Sequence, residues 1–317
     1  MPNLWRRKEL RLCARRPGAC RAGWVFGAVA RWGSLGLVML AVGCTQPRNC
    51  VEPRDEWEAL ARVNENLSKI EQPLQYQASA SFSFRDNNGR ERRFLGHEAK
   101  LTFYNPRDLL FDIRSLAGVI AQFGSNDERY WVWIEPEVRK LWWGAWAALD
   151  RDGPRKLPLP PDDLLDALML RPLPEALAGD LHVMLRKDGQ DQRLLFIRLD
   201  ADGQPGGWRE IRLDPREPYQ PLEIIDRSAA GDVQMHALLS NYQRIGSDGP
   251  FTARRYEVYW PQDHAEMRLD VTRAALRPDL REVVSDLFEF PAGWRGEVEQ
   301  IDVQRPPAPG ATNEDTD

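Results

Sequence analysis

The chain has 317 residues, 42% of them hydrophobic and 29% charged, with a formal net charge of −5 and four cysteines. The charge is unevenly spread: Arg6, Arg7, Lys8, Arg11, Arg15, Arg16, Arg21 and Arg31 stand against Glu9 alone in the first 43 residues, so the remaining 274 carry −12. An acidic body of this kind excludes a nucleic-acid partner, and it excludes attachment to anionic lipid by overall charge.

Behind the basic stretch, Gly33 to Gly43 (GSLGLVMLAVG) is uncharged and ends on small residues. This is the order of a secretory signal, and the run is too short for a bilayer core, which needs about twenty residues. Ala41-Val42-Gly43-Cys44 resembles the bacterial lipobox, with Leu40 one place earlier than the usual leucine. The expectation is a lipoprotein signal over 1–43, cleavage before Cys44, acylation of Cys44 and a cell-envelope location. Thr45 then implies sorting to the outer membrane, on its periplasmic side. With Cys13 and Cys20 removed and Cys44 acylated, Cys50 is expected to stand alone, without an intrachain disulfide. Residues 44–54 read as a lipid-anchored polar tether with two prolines.

A domain is expected over 55–303. Trp57, Leu60, Val63, Leu67 and Ile70 recur at helical spacing. Leu74, Tyr76, Ala78, Ala80, Phe82 and Phe84 then alternate with polar residues, which predicts a long strand ending in the hairpin signal Asp86-Asn87-Asn88-Gly89. Ala99, Leu101 and Phe103, then Leu109, Phe111 and Ile113, then Tyr130, Val132 and Ile134 continue the alternation. Turns fall at Asn105-Pro106, Gly118, Asn126-Asp127 and Pro136. Pro158, Pro160 and Pro161 lead into Asp162-Asp163-Leu164-Leu165-Asp166-Ala167-Leu168-Met169-Leu170, a short helix closed by Pro172. Strands resume through Val183, Ile197, Leu213, Ile224, Met235, Val258 and Leu269, separated by turn residues. The fold class is therefore mainly β: one strongly curved antiparallel sheet, an unclosed barrel of about eleven to thirteen strands, capped by short helices. Residues 304–317 are Pro-rich, then acidic, and are expected to be disordered.

A cup of this kind holds apolar ligands. Here the chain resembles the LolA/LolB superfamily, nearest the outer-membrane lipoprotein receptor. The resemblance lies in Leu109-Leu110-Phe111-Asp112-Ile113-Arg114-Ser115-Leu116-Ala117-Gly118, in Leu157-Pro158-Leu159-Pro160 with Leu164, Leu165, Leu168 and Leu170, and in Pro221-Leu222-Glu223-Ile224 through Asn241-Tyr242. It spans most of residues 56 to 292. The family's Pro-Leu-Gly loop reads Ser115-Leu116-Ala117-Gly118 here. The resemblance implies an apolar cavity for acyl chains, with acylated lipoproteins or another lipophilic ligand as partners, and a periplasmic carrier protein as a further one. The strand faces offer Tyr76, Phe82, Phe84, Leu101, Phe103, Phe111 and Ile113 as cavity residues.

Trp131 and Trp133 share one strand face while Tyr130, Val132 and Ile134 share the other, so both faces are apolar. The two tryptophans read either as a ligand wall or as aromatics packed beneath a helix. Leu116 reads either as a membrane probe or as a buried loop residue. No catalytic constellation is present. His97, His182, His236 and His264 lack metal-ligand spacing, and there is neither a nucleophile elbow nor a phosphate loop. Asp162, Asp163 and Asp166 read as helix-front charges favoured by the helix dipole. No cofactor and no enzymatic activity are expected. The alternative reading is a non-catalytic envelope scaffold or sensor with the same fold.

Overall fold

The computed structural model describes residues 50–301 except 86–88, 105, 136–138, 149–160, 175–180, 190 and 201. The hairpin signal at 86–88, the turns at 105 and 136, Pro158, Pro160, the signal segment with Cys44, and the 304–317 tail lie outside the described residues.

A helix, α1 (Glu56–Leu67), opens the domain. Asp55 caps it, its carboxylate accepting from the Glu58 N–H at 2.9 Å, while Glu58 accepts from the Arg54 N–H at 2.9 Å. These bonds satisfy donors that a helix start leaves unpaired. Ala59, Leu60, Val63 and Leu67 are buried, but Trp57, expected on the same stripe, is 40% exposed.

Strands β1 (Leu74–Arg85), β2 (Glu91–Tyr104), β3 (Asp108–Ser115), β4 (Gly118–Ser125), β5 (Arg129–Ile134) and β6 (Lys140–Ala145) follow as a meander. Then come α2 (Pro161–Ala167), β7 (Leu181–Asp188), β8 (Asp191–Leu199), β9 (Pro205–Leu213), β10 (Pro221–Ser228), β11 (Val233–Ser240), the short pair β12 (Gln243–Arg244) and β13 (Phe251–Thr252), β14 (Arg255–Trp260), β15 (Ala265–Leu276), α3 (Val284–Leu287) and β16 (Glu297–Gln300). Fourteen strands form one sheet in the order β16-β6-β5-β4-β3-β2-β1-β15-β14-β11-β10-β9-β8-β7. The pairs are antiparallel except β16 on β6, which is parallel. Among the described residues the two end strands do not pair, so the sheet stays open.

The sheet is rolled. Helix α2 packs against β4 and β5 and also against β11. Seven residues of helix span about 10 Å, whereas β4 and β11 are separated by five intervening strands, on the order of 29 Å across a flat sheet. Both can touch one short helix only if the sheet wraps around it. The register carries the inner face from strand to strand: Tyr76 pairs with Leu101, Leu101 with Phe111, Phe111 with Phe123, Phe123 with Val132 and Val132 with Trp142. Paired residues share a face, and these form one continuous buried core with α1 and α2.

The fold is the expected one, mainly β with a strongly curved open sheet and short helices, and departs from expectation in three details. The sheet has fourteen strands rather than eleven to thirteen, because β4, β6 and β16 carry weaker alternation. Cys50 is disulfide-bonded rather than alone. Residues 50–53, expected within a free tether, lie on the domain: Cys50 bridges to Arg216, and Val51, which is buried, donates its N–H to the Pro215 carbonyl at 2.5 Å. Gln192 donates to the Val51 carbonyl at 3.0 Å, and Lys187 donates to that of Pro53.

Candidate functional site

Tyr76, Phe82, Phe84, Leu101, Phe103, Phe111 and Ile113 are all buried on the inner face. The structure brings the seven together with Phe94 and Phe123. Phe82 stacks on Phe94 with centroids 4.3 Å apart, and Phe111 on Phe123 at 5.8 Å. Tyr76 meets Tyr256 of β14, two strands along the sheet, their hydroxyls 3.3 Å apart. Burial away from water raises the Tyr76 phenol to about 12 and holds Tyr256 well above its ordinary range, so both stay neutral hydrogen-bonding groups.

Helix α2 occupies the middle of this interior. Leu164, Leu165 and Leu168 are buried, and Leu168, Met169 and Leu170 face Val63, Leu67, Tyr76, Tyr242 and Tyr256 across a cleft of about 10 Å³. That is room for one water at most. The helix ends with Met169 at φ +50°, the left-handed position usually given to glycine. Its N–H reaches the Asp166 carbonyl at 3.0 Å, and the Leu170 N–H reaches that of Leu165 at 3.3 Å, the bond pair of a Schellman ending.

Side chains pin the helix to the sheet wall. Asp166 meets Arg171 at 2.5 Å and Arg209 of β9 at 2.6 Å, Asp162 meets Arg171 at 2.7 Å, and Arg209 grips both oxygens of Asp226 on β10 at 2.6 and 2.7 Å. Burial alone would lower the Arg209 guanidinium, but the Asp166 and Asp226 carboxylates outweigh it and raise it well above its ordinary value. Asp162 and Asp166, read from the sequence as helix-front charges, are both buried, which is tolerated because each is paired. Helix α1 is stitched in by amides, with Asn64 exchanging hydrogen bonds with both backbone groups of Leu173 and Asn66 with both of Phe251.

Trp131 and Trp133 face the other way. Trp131 pairs with Gly124 and Trp143, a row on the outer face, and its indole covers the space a side chain at 124 would need. Phe290 packs edge-on to Trp131 at 5.8 Å, Trp294 tilts over Trp133 at 5.1 Å, and Arg129 lies over Trp143 and Phe290. The tryptophans are thus separated from the cavity residues by the thickness of the sheet, under a C-terminal strap that local periodicity did not reveal.

Leu116, for which burial and exposure were both open, is fully exposed. It sits with Ala117 in the two-residue turn from β3 to β4, where Ser115 Oγ accepts from the Ala117 N–H at 3.1 Å and Gly118 takes φ +131°. The four histidines stay apart, and His236 contacts Glu223 at 2.9 Å. Among the described residues no group of three His, Cys, Asp or Glu side chains is placed to hold a metal ion, and no helix is long and apolar enough to cross a membrane.

No protein-family model and no curated protein matches the sequence. Solved structures do. A putative outer membrane lipoprotein-sorting protein domain from Vibrio parahaemolyticus is 13% identical, with 73% of this chain and 98% of that one covered at a TM-score of 0.45. A LolA superfamily protein from Nitrosomonas europaea is 13% identical over 74% and 98%, at 0.43. A DUF1329 family protein from Desulfovibrio piger is 13% identical over 70% and 93%, also at 0.43.

Proposed function

We propose that the chain is a non-catalytic envelope lipoprotein that, after loss of residues 1–43 and acylation of Cys44 in place of any disulfide to Cys50, takes the acyl chains of lipoproteins into the space α2 fills and aids their localisation to the outer membrane. The observation that supports this is the unclosed sheet rolled around a short, leucine-rich helix held by ion pairs. Leu164, Leu165, Leu168 and Leu170 are nearly fully buried, so displacing them costs roughly 6 to 12 kcal/mol at about 1.5 to 3 each. An incoming chain contributes about 0.8 kcal/mol per buried methylene, so about eight to fifteen methylenes offset the loss. A fatty acyl chain is of that length. A periplasmic carrier is the partner that presents such cargo, and Leu116 is the group that enters the receiving bilayer.

The scaffold or sensor reading is favoured by one observation, the cleft between α1 and the end of α2, which has room for one water at most and so is occupied by side chains rather than open to a ligand. A hydrophobic fluorescent dye separates the two. The first reading expects the dye to bind with α2 displaced and to be expelled by an acylated peptide; a protein that takes up no dye at any concentration leaves the scaffold. Radiolabelled palmitate should mark the wild type but not Cys44→Ser, and equal labelling overturns the anchor.

A further inference from the structure

The cleft between α1 and the end of α2 is walled by hydroxyl groups whose hydrogen bonds do not add up. Tyr76 of β1, Tyr242 after β11, Thr252 of β13 and Tyr256 of β14 all line it. The Tyr242 hydroxyl donates to the Pro221 carbonyl at 2.7 Å and is satisfied. The Tyr76 and Tyr256 hydroxyls share one bond of 3.3 Å, so one of their two hydrogens is used and the other has no acceptor among the described residues. Thr252 is 6% exposed. Its hydroxyl stands toward that of Tyr76 but too far away to close a hydrogen bond, and no other atom partners it.

Two buried O–H hydrogens thus face the cleft unused. An unmade bond leaves the whole desolvation cost of the donor uncompensated, and native proteins hold few such groups. Valine has the shape of threonine without that cost, so the hydroxyl at 252 weakens the free protein. It is also held in place. Helix α1 pins β13 through Asn66, which donates to the Phe251 carbonyl at 2.9 Å and accepts its N–H at 2.7 Å. Leu168, Met169 and Leu170 at the end of α2 form the opposite wall, so the free hydroxyls border the space that withdrawal of the helix opens.

The surroundings select the group that fits. The other polar side chains lining the cleft are Asn66 and Gln220. They bond to each other at 3.1 Å, and Gln220 donates to the Pro218 carbonyl at 2.9 Å. No charged side chain lines the cleft. Arg254 is near enough to act on Tyr76, but it lies outside the lining and gives its Nη1 to the Val271 carbonyl at 3.3 Å. A carboxylate or phosphate would be desolvated here without a paired charge. A neutral carbonyl oxygen has two lone pairs and can accept from both hydroxyls.

We propose that Thr252 and the Tyr76–Tyr256 pair form a carbonyl-binding site that holds the ester group at the head of an acyl chain lying in the space of α2. This rests on the acyl-receiving reading and adds to it the class of group bound, a neutral acyl ester rather than a bare hydrocarbon or a free fatty acid.

The test uses the chain from residue 44 onward with Cys44→Ser, which lacks an acyl group of its own. Hexadecane, methyl palmitate and ionised palmitate each compete with a bound hydrophobic dye. Methyl palmitate should bind about fivefold to tenfold more tightly than hexadecane. Thr252→Val should abolish that advantage and Thr252→Ser should keep it, and the carbonyl stretch of bound methyl palmitate should lie at higher frequency in Thr252→Val than in wild type. The free Thr252→Val protein should melt at or above the wild-type temperature, since a methyl group replaces an unbonded hydroxyl. A marked fall in melting temperature would show that the hydroxyl serves the fold, and overturns the site. Tighter binding of ionised palmitate than of its ester also overturns it, assigning the cleft to a carboxylate reached by Arg254. If hexadecane and the ester bind equally in wild type and in Thr252→Val, the site is wrong and the acyl-receiving reading stands. If none of the three displaces the dye, that reading fails and the site with it. A diacylglyceryl-cysteine peptide and phosphatidylglycerol separate the two sources of such an ester: the one whose binding weakens in Thr252→Val supplies it, and weakening of neither overturns the inference.

Discussion

Glu223 is held on the outer face between Arg212, at 2.8 Å, and His236, at 2.9 Å. The His236 hydrogen bond, acting against partial burial and aided by Arg212, lowers its carboxyl from the ordinary 4.5 to about 2. The folded state therefore releases this proton more readily than the unfolded state. Its contribution is complete above about pH 4.5 and is lost as the pH falls toward 2. A shift of that size corresponds to roughly 3 kcal/mol. Urea titrations of wild type and Glu223→Gln should differ by up to that amount at neutral pH and converge toward pH 2. A constant difference across that range would show that ionisation of Glu223 is not its source. At this scale the sequence was partly legible. The seven inward side chains of β1 to β3 were found by alternation alone, because a half-buried strand imposes a period of two. On β2 the alternation fails where Leu95 and Gly96 together oppose Ser81: this bulge shifts the period by one residue, turning Phe94 inward and Leu95 to solvent, and nothing in the flanking residues marks it except Gly96.

Helix α2 shows what local pattern holds and what it omits. Its front and its end were readable from Pro161, its aspartates and Pro172. The partners of those aspartates were not, because Arg209 lies 43 residues beyond Asp166 and ion pairs between a helix and a strand leave no periodic trace. Asp166→Asn removes one carboxylate shared by two guanidiniums. Removal of a buried partner costs about 3 to 5 kcal/mol, and since Arg209 keeps Asp226 the lower end is expected, seen as a fall in melting temperature. The same variant should take up more hydrophobic dye if α2 is the removable filler of the cup. A destabilised variant without greater dye uptake would tie the network to stability alone. The strap between residues 278 and 301 escaped the sequence reading for a related reason. Its aromatics, Phe288, Phe290 and Trp294, follow no helical or strand spacing, although the two-sided apolar pattern of β5 already required something to cover the outer face.

The strap governs the molecule as a whole because it closes one end of an open sheet. Strand β16 adds to β6, and Lys140 reaches Glu297 at 2.7 Å and Glu299 at 2.8 Å. Ending the chain at residue 277 should bare the β6 edge together with Trp131, Trp133 and Trp143. An unpaired edge beside an apolar face is an association hazard, so light scattering should show concentration-dependent oligomers that the full chain does not form. A monodisperse truncated protein would mean that the strap is dispensable.

The docking of residues 50–53 has a consequence for how the molecule stands. They sit against the turn between β9 and β10, at the strand ends opposite to the turn that carries Leu116. If Cys44 is acylated as proposed, only residues 45–49 lie between the acyl group and this docked segment, at most about 18 Å of chain, less than the roughly 40 Å length of the twelve-residue β1. Held upright, the domain then points Leu116 away from that membrane. Laid flat, it brings both strand ends to the same lipid surface. The tilt of the domain, rather than the length of the connecting segment, decides which surface Leu116 touches.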